Sequence, residues 1–152
     1  MKRPDGGPEA ERLASLLRKN RRRLLAPAWV QAWLSRKVAV SLVSHERQER
    51  LVAELRQWRG GDYEVVSNIT AVIEAFVGGA DLVVVADWDA QEQPALLAPG
   101  AALCRSTEEL RSLYPDGLVL WNGPAALVVD FDDEVGEVRV KRLHDGSNTL
   151  QS

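Results

Sequence analysis

The stretch ADLVVVADWD, residues 80–89, decides the predicted fold. Its centre, residues 82–86, is an unbroken apolar run with no polar residue to face water. A strand covered on one face only would alternate apolar and polar residues, so the run indicates an interior strand with helices on both sides of the sheet. Asp87, Trp88 and Asp89 follow directly. They place carboxylates at the carboxyl end of that strand, where open α/β sheets bind their ligands.

Two further strand segments precede this one, and each is followed by a helical pattern. Residues 37–43 (KVAVSLV) and 62–66 (DYEVV) are rich in residues that favour strands. Ser44 is placed to cap the first helix, and Ser67 or Asn68 to cap the second. The predicted order is strand, helix, strand, helix, strand, and helical connections of this length are typical of parallel strands.

The C-terminal half has a different pattern. Residues 90–100 contain two prolines and a glycine and are predicted as a loop, and residues 101–104 as a short strand. A capping box at Ser106 begins a brief helix. Asn122-Gly123 is a hairpin signal between two apolar segments, and residues 137–143 alternate as a half-exposed strand does. We expect an antiparallel hairpin at one edge of the sheet.

The predicted organisation is a disordered leader at 1–8, a helical arm at 9–36, an α/β domain at 37–143 and a flexible tail at 144–152. Within the arm, a helix over residues 9–25 is expected to end before Pro27, which begins a second, short helix. Trp29 and Trp33 share one face of that short helix. We expect them to pack into the core or to join two copies of the chain in a homodimer.

Composition narrows the classes of function. The 152 residues suffice for one domain, and no apolar run reaches the roughly 20 residues needed to span a bilayer. Because residues 1–8 precede no apolar signal-like stretch, the expected location is cytoplasmic, without membrane association. The single Cys104 excludes an internal disulfide and a thiolate-rich zinc site, and only His45 and His144 could add nitrogen ligands. No metal and no cofactor are predicted.

A family resemblance rests on three consecutive segments, DYEVV at 62–66, AVIEAF at 71–76 and ADLVVVAD at 80–87. Their order resembles the middle of a response-regulator receiver domain, in which a strand, a helix and a second strand lead to the phosphate-accepting Asp. The likeness extends loosely over residues 37–59. It implies a three-layer α/β fold of the flavodoxin or receiver type: a central parallel βαβαβ unit, a C-terminal antiparallel hairpin and an N-terminal helical arm.

The chain departs from that family at the residues that carry its chemistry. Receiver domains hold Mg²⁺ with two acidic residues at the end of the first strand, where this chain has Ser44 and His45. The acceptor position falls at Ala86 or, one residue late, at Asp87. The resemblance therefore implies a degenerate receiver domain, which works by contact and not by phosphoryl transfer.

The first candidate site is a crevice at the carboxyl ends of the predicted parallel strands. It would collect a histidine, two carboxylates and polar side chains: Ser44, His45, Asn68, Asp87, Trp88 and Asp89. A histidine beside carboxylates can act as an acid–base pair, and polar groups of this kind can also hold a phosphate ligand. The simpler interpretation is that Ser44 and Asn68 are helix caps and that the acids lie in a loop.

Charge supplies two further candidates. Residues 1–25 carry eight basic and three acidic side chains, a net of +5, which leaves −8 on the remainder of the −3 chain. An acidic surface of Asp130, Asp132, Asp133 and Glu134 is expected to contact a partner protein or to form a solvated turn. The basic arm of Arg18, Lys19, Arg21, Arg22 and Arg23 can hold nucleic-acid phosphates or form one face of an amphipathic helix.

The predicted function is non-enzymatic: a regulatory or protein-binding domain, either a degenerate receiver or an immunity- or antitoxin-type protein that covers a basic toxin surface. This prediction rests on the net charge of −8 on the chain after residue 25, because opposite charges steer two proteins toward association. The alternatives are a small enzyme or phosphate-ligand binder that uses the crevice around Asp87, and a nucleic-acid binder that uses the basic arm. No catalytic residue is assigned.

Overall fold

The computed structural model describes residues 7–132 and 137–146 of the chain. The helices are α1 (Gly7–Leu34), α2 (His45–Gln57), α3 (Ile69–Val77), α4 (Gly100–Leu103) and α5 (Thr107–Leu113). The strands are β1 (Ser41–Leu42), β2 (Arg59–Gly60), β3 (Glu64–Val66), β4 (Leu82–Asp87), β5 (Leu96–Pro99), β6 (Gly117–Asn122), β7 (Ala125–Asp132) and β8 (Glu137–His144).

The eight described strands form one sheet in which every pairing is antiparallel. The order is β1-β5-β4-β6-β7-β8, and both β2 and β3 pair with β8. The prediction of a central parallel βαβαβ unit is therefore wrong. β4 lies between β5 and β6 and touches neither β1 nor β3 in the sheet. The fold that the receiver resemblance implied is not the fold observed.

The interior position of β4 is confirmed although its neighbours are not those expected. Val83 and Val85 pack into a core on one face of the sheet, and Val84 and Ala86 into a second core on the other face. The first core receives side chains from α3, α5 and the C-terminal end of α1. The second core lies beneath α2. The unbroken apolar run thus indicates that both faces of β4 are covered. It does not indicate whether the neighbouring strands are parallel or antiparallel.

β5 and β6 occupy both edges of β4, which leaves no place for the parallel neighbours that were expected. β1 has two residues and pairs with β5, and β3 has three residues and pairs with β8. β5, inside the predicted loop at 90–100, takes the place beside β4, with Pro99 at its last position where a missing N–H is tolerated. The predicted strand at 101–104 is helix α4. The β6–β7 hairpin is confirmed, but β6 lies beside β4 and not at an edge.

The N-terminal helix also differs from the prediction. α1 runs through Pro27 without ending, so there is one helix and not two. Pro27 cannot donate to the carbonyl of Arg23, but both residues are exposed and water can serve that carbonyl. Trp33 is buried with its indole N–H 3.3 Å from the Tyr114 hydroxyl, and Trp29 stacks on the Tyr114 ring with centroids 4.7 Å apart. Both rings therefore pack within the chain, which is the first of the two roles expected for them.

The helix caps follow the sequence closely. Ser44 accepts a hydrogen bond from the N–H of Arg47, Asn68 from that of Ala71, and Ser106 from that of Glu109. None of the described helices combines the length and the apolar composition required to cross a membrane.

Candidate functional site

One half of the sheet face beneath α2 is left bare. Val128 packs in the core under α2, and Asp130, two residues further along β7, points to the same face. Arg139 lies opposite Asp130, and Val65 lies opposite Arg139 on the neighbouring strand. Val65 is 59% exposed, so the cover that α2 gives to this face does not reach it.

Two aromatic rings lie together on this bare half. Tyr63 and Trp88 have ring centroids 6.4 Å apart, and each side chain is 40% exposed. The Trp88 N–H donates to the carbonyl of Gly117 at 3.1 Å. Gly117 has a φ of +139°, and a Cβ there would meet the Trp88 ring. A residue without a side chain is therefore required at this position for the indole to lie against the sheet.

Three carboxylates lie close together where β4 ends, next to Trp88 in the chain. Asp87 accepts a hydrogen bond from the N–H of Asp89 at 3.0 Å, which orders the turn that carries Trp88. Burial raises the pKa of Asp87, and the neighbouring charges of Asp116 and Asp89 raise it further. The three carboxylates thus form a patch of like charge that a positive group would stabilise.

One ion pair and one further cation also lie close to the rings. Asp130 accepts from the Arg139 guanidinium at 2.8 Å, and the Lys141 ammonium lies 5.5 Å from the centre of the Tyr63 ring. Burial, followed by the charge of Asp130, raises the pKa of Tyr63. We call this surface the aromatic–acidic face and define it by Tyr63, Val65, Trp88 and Asp130 on the sheet and by Asp87, Asp89 and Asp116 at the adjoining ends of β4 and β6. Asp87 follows Val85 along β4 and points toward the side of Tyr114.

A second polar cluster lies between α1 and α2, and it is closed. Glu49 accepts from Arg18 at 2.6 and 3.1 Å and from Arg22 at 2.9 Å. The Ser15 hydroxyl lies 3.1 Å from Glu49 and 3.0 Å from Nε2 of His45, and the Arg22 guanidinium lies 3.0 Å from Nδ1 of His45. We call these five residues the polar clamp.

The direction of each hydrogen bond excludes a serine-hydrolase role for the polar clamp. Because a guanidinium only donates, Nδ1 of His45 is an acceptor and the ring proton is on Nε2, directed at Ser15. The Ser15 hydroxyl accepts a hydrogen bond from that N–H and donates a hydrogen bond to Glu49. The histidine therefore has no free lone pair with which to deprotonate the serine, as a general base must.

The pKa shifts within the polar clamp agree with these hydrogen-bond directions. The hydrogen bond and charge of Arg18, with those of Arg22, lower the pKa of Glu49 to about 2. Burial, followed by the positive charge of Arg22, lowers the pKa of His45. Glu49 is thus held charged and His45 neutral. Arg22 is only 5% exposed and also donates to the backbone carbonyl of Gln91.

The structure separates the residues of the predicted crevice. His45 belongs to the polar clamp, Ser44 and Asn68 cap two different helices, and Asp87, Trp88 and Asp89 lie in the aromatic–acidic face. Because the strands are antiparallel, their carboxyl ends do not meet at one edge, and the geometric basis of the crevice is lost.

The charged candidates are divided in the same way. Arg18 and Arg22 of the basic arm turn inward to Glu49, and Arg21 pairs with Glu92. Asp130 joins the aromatic–acidic face. The predictions for Asp133, Glu134 and the side chain of Asp132 lie outside the described residues.

Sequence reasoning missed Tyr63 and Gln48. Gln48 is 1% exposed, donates to the carbonyls of Ala90 and Gln93 at 2.9 and 2.7 Å, and accepts from the N–H of Ala95 at 2.8 Å. It thus holds the segment between β4 and β5 in place. A signal was present, since Gln48 occupies a core-facing position of α2, three residues before Leu51. For Tyr63 no local signal existed, because its neighbour Trp88 is distant in the chain.

Within residues 7–132 and 137–146, no three histidine, cysteine or acidic side chains are grouped so that they could hold a metal ion. No family model, no curated protein and no solved structure matches the chain.

Proposed function

We propose that this protein is a non-enzymatic binding protein that docks the basic surface of a partner protein on its aromatic–acidic face. An immunity- or antitoxin-type protein that covers a basic toxin surface is one form of this function. The observation that carries the proposal is the contact between Tyr63 and Trp88, both 40% exposed, on a sheet face that α2 leaves bare.

The chemistry of the two rings supports a protein partner. Tryptophan and tyrosine are the residue types that most often dominate the binding energy of protein interfaces, because they bury a large area with little loss of side-chain freedom. Trp88 is already ordered by its backbone hydrogen bond and by Gly117. A partner would therefore meet a preformed surface, which lowers the entropic cost of association.

The charges support a basic partner. Asp87, Asp89 and Asp116 have like charges close enough to affect each other, and no cation is paired with them among the described residues. Such a surface steers a positively charged partner and weakens in salt.

The test compares retention of proteins from a lysate of the native host on the immobilised wild-type chain and on Trp88→Ser. We expect the wild type to retain a basic protein at low salt and to release it at high salt. Trp88→Ser should bind that protein at least about tenfold more weakly. Leu34→Ser is the matched control, because Leu34 is 53% exposed and lies on α1, away from the face.

The control should retain the same protein as the wild type. Equal retention by Trp88→Ser, retention that ignores ionic strength, or the absence of any basic protein that depends on Trp88 would each count against the proposal.

A further inference from the structure

A cleft of about 340 Å³ opens between α1 and the start of α2. Its apolar lining comes from Ala26, Leu42, Val43 and Pro94, and Lys19 and Arg23 line it from α1. A volume of this size, mostly apolar with a few polar groups, is characteristic of small-molecule sites. The cleft is distinct from the aromatic–acidic face, and none of the residues that define that face lines it.

The charge of the cleft is one-sided. No acidic residue lines it, and Arg22 and His45 add a guanidinium and a neutral imidazole to its wall. Among the described residues, no carboxylate lies within ion-pair distance of Lys19 or Arg23, and Arg23 bonds only the neutral side-chain amide of Asn20, at 2.8 Å. Lys19 and Arg23 are four residues apart on one helix, so their like charges repel each other until an anion binds.

The N-terminus of α2 also makes the cleft favourable for an anion. Ser44, the cap of this 13-residue helix, and His45, its first residue, both line the cleft. The partial positive charge at a helix N-terminus favours an anion. The polar clamp meanwhile engages Arg22 with Glu49, which leaves Lys19 and Arg23 as the cations available to a ligand.

We propose that this cleft binds a small apolar monocarboxylate. The carboxylate lies between Lys19 and Arg23, and the hydrocarbon part lies against Ala26, Leu42, Val43 and Pro94. A purely inorganic anion would leave the apolar lining in water, and a neutral apolar molecule would leave the two cations without a counter-ion. This site is independent of the proposed protein partner.

The test titrates octanoate, and separately octan-1-ol, into the full chain and follows backbone amide chemical shifts. We expect octanoate to perturb Ala26 and Val43 and to bind several-fold more tightly than octan-1-ol. Lys19→Gln combined with Arg23→Gln should weaken octanoate about fivefold and leave octan-1-ol unchanged. Leu42→Ser should weaken both ligands, and since Leu42 is 52% exposed the variant keeps its fold.

The matched control is Arg12→Gln combined with Arg47→Gln, which removes the same amount of charge from α1 and α2, and neither side chain lines the cleft. It should bind octanoate as the wild type does. The proposal is overturned if octanoate and octan-1-ol bind equally, if the control weakens octanoate as much as the Lys19 and Arg23 variant, if the shifts fall around Trp88, or if millimolar octanoate causes no shift.

Discussion

The polar clamp and the aromatic–acidic face both contain charged side chains, but they differ in whether those side chains are paired with opposite charges inside the chain. In the polar clamp, Glu49 has two arginines and His45 has a partner on each ring nitrogen. In the face, Asp87 lies beside two further carboxylates, and the rings of Tyr63 and Trp88 remain 40% exposed. A charged cluster that is complete within the chain supports the fold, and one that is incomplete is available to a partner.

This comparison predicts that changes on the α1–α2 side cost stability, whereas changes in the face cost binding. The largest stability effect is expected at Gln48, whose amide serves three backbone groups between Ala90 and Ala95. Gln48→Leu keeps the volume but leaves those groups unsatisfied, so the free energy of unfolding should fall by about 3 kcal/mol. Urea denaturation measures it.

Gln57→Leu is the control for that change, because Gln57 is exposed at the end of the same helix. It should alter stability by less than about 0.5 kcal/mol. Equal losses in the two variants would mean that the hydrogen bonds of Gln48 are not what holds the segment before β5.

The next effect is expected at Glu49. Glu49→Gln removes the counter-ion of Arg22, which is 5% exposed, and should cost about 2 kcal/mol at neutral pH, less than a fully buried pair because Glu49 is 25% exposed. Since the folded pKa of Glu49 is lowered to about 2 from 4.5, its stabilisation is present above pH 4.5 and is lost as the pH falls toward 2. The difference between wild type and variant should shrink over that range.

Glu54→Gln on the exposed side of α2 supplies the comparison. Its cost should be a few tenths of a kcal/mol at most. If Glu49→Gln is no more destabilising than Glu54→Gln, the polar clamp does not support the fold in the way its geometry indicates.

The smallest effect is expected at His45. Because its folded pKa is lowered below 6.5, the unfolded chain binds the proton first, and stability should fall as the pH drops below 6.5. The charges that face the ring are Glu49, Arg22, Glu46 and Lys19. Protonation would place an N–H on Nδ1 against the Arg22 guanidinium, which can only donate.

His45→Asn keeps an acceptor for Arg22 and removes the titration. Thermal denaturation between pH 7.5 and 5.5 should show a steeper loss of stability for the wild type than for this variant. A slope of the same size in both proteins would assign the pH dependence to another group.

The sequence predicted what depends on neighbouring residues. The caps at Ser44, Asn68 and Ser106, the turn at Asn122-Gly123 and the burial of β4 all follow from local chemistry, and all are observed. These features need no knowledge of what packs against them, except that an apolar run must be covered on both faces.

What the sequence did not predict depends on distant partners. The apolar run of β4 is compatible with parallel or antiparallel neighbours. Its actual neighbours are β5 and β6, and β5 was not predicted because it lies in a segment that contains two prolines. The division of the arginines in α1 required knowing that Glu49 of α2 faces them. The contact between Tyr63 and Trp88 likewise arises only when β3 pairs with β8, and β7 lies between β8 and Gly117.

The most direct test of the account is the retention of the partner protein by Trp88→Ser relative to the wild type, measured on samples with equal unfolding midpoints. We predict that retention falls about tenfold or more while the midpoint is unchanged within error, because the ring is half exposed and contributes to binding more than to the fold. Unchanged retention, or a loss of retention explained by a loss of folded protein, would contradict the claim that the aromatic–acidic face is the functional surface.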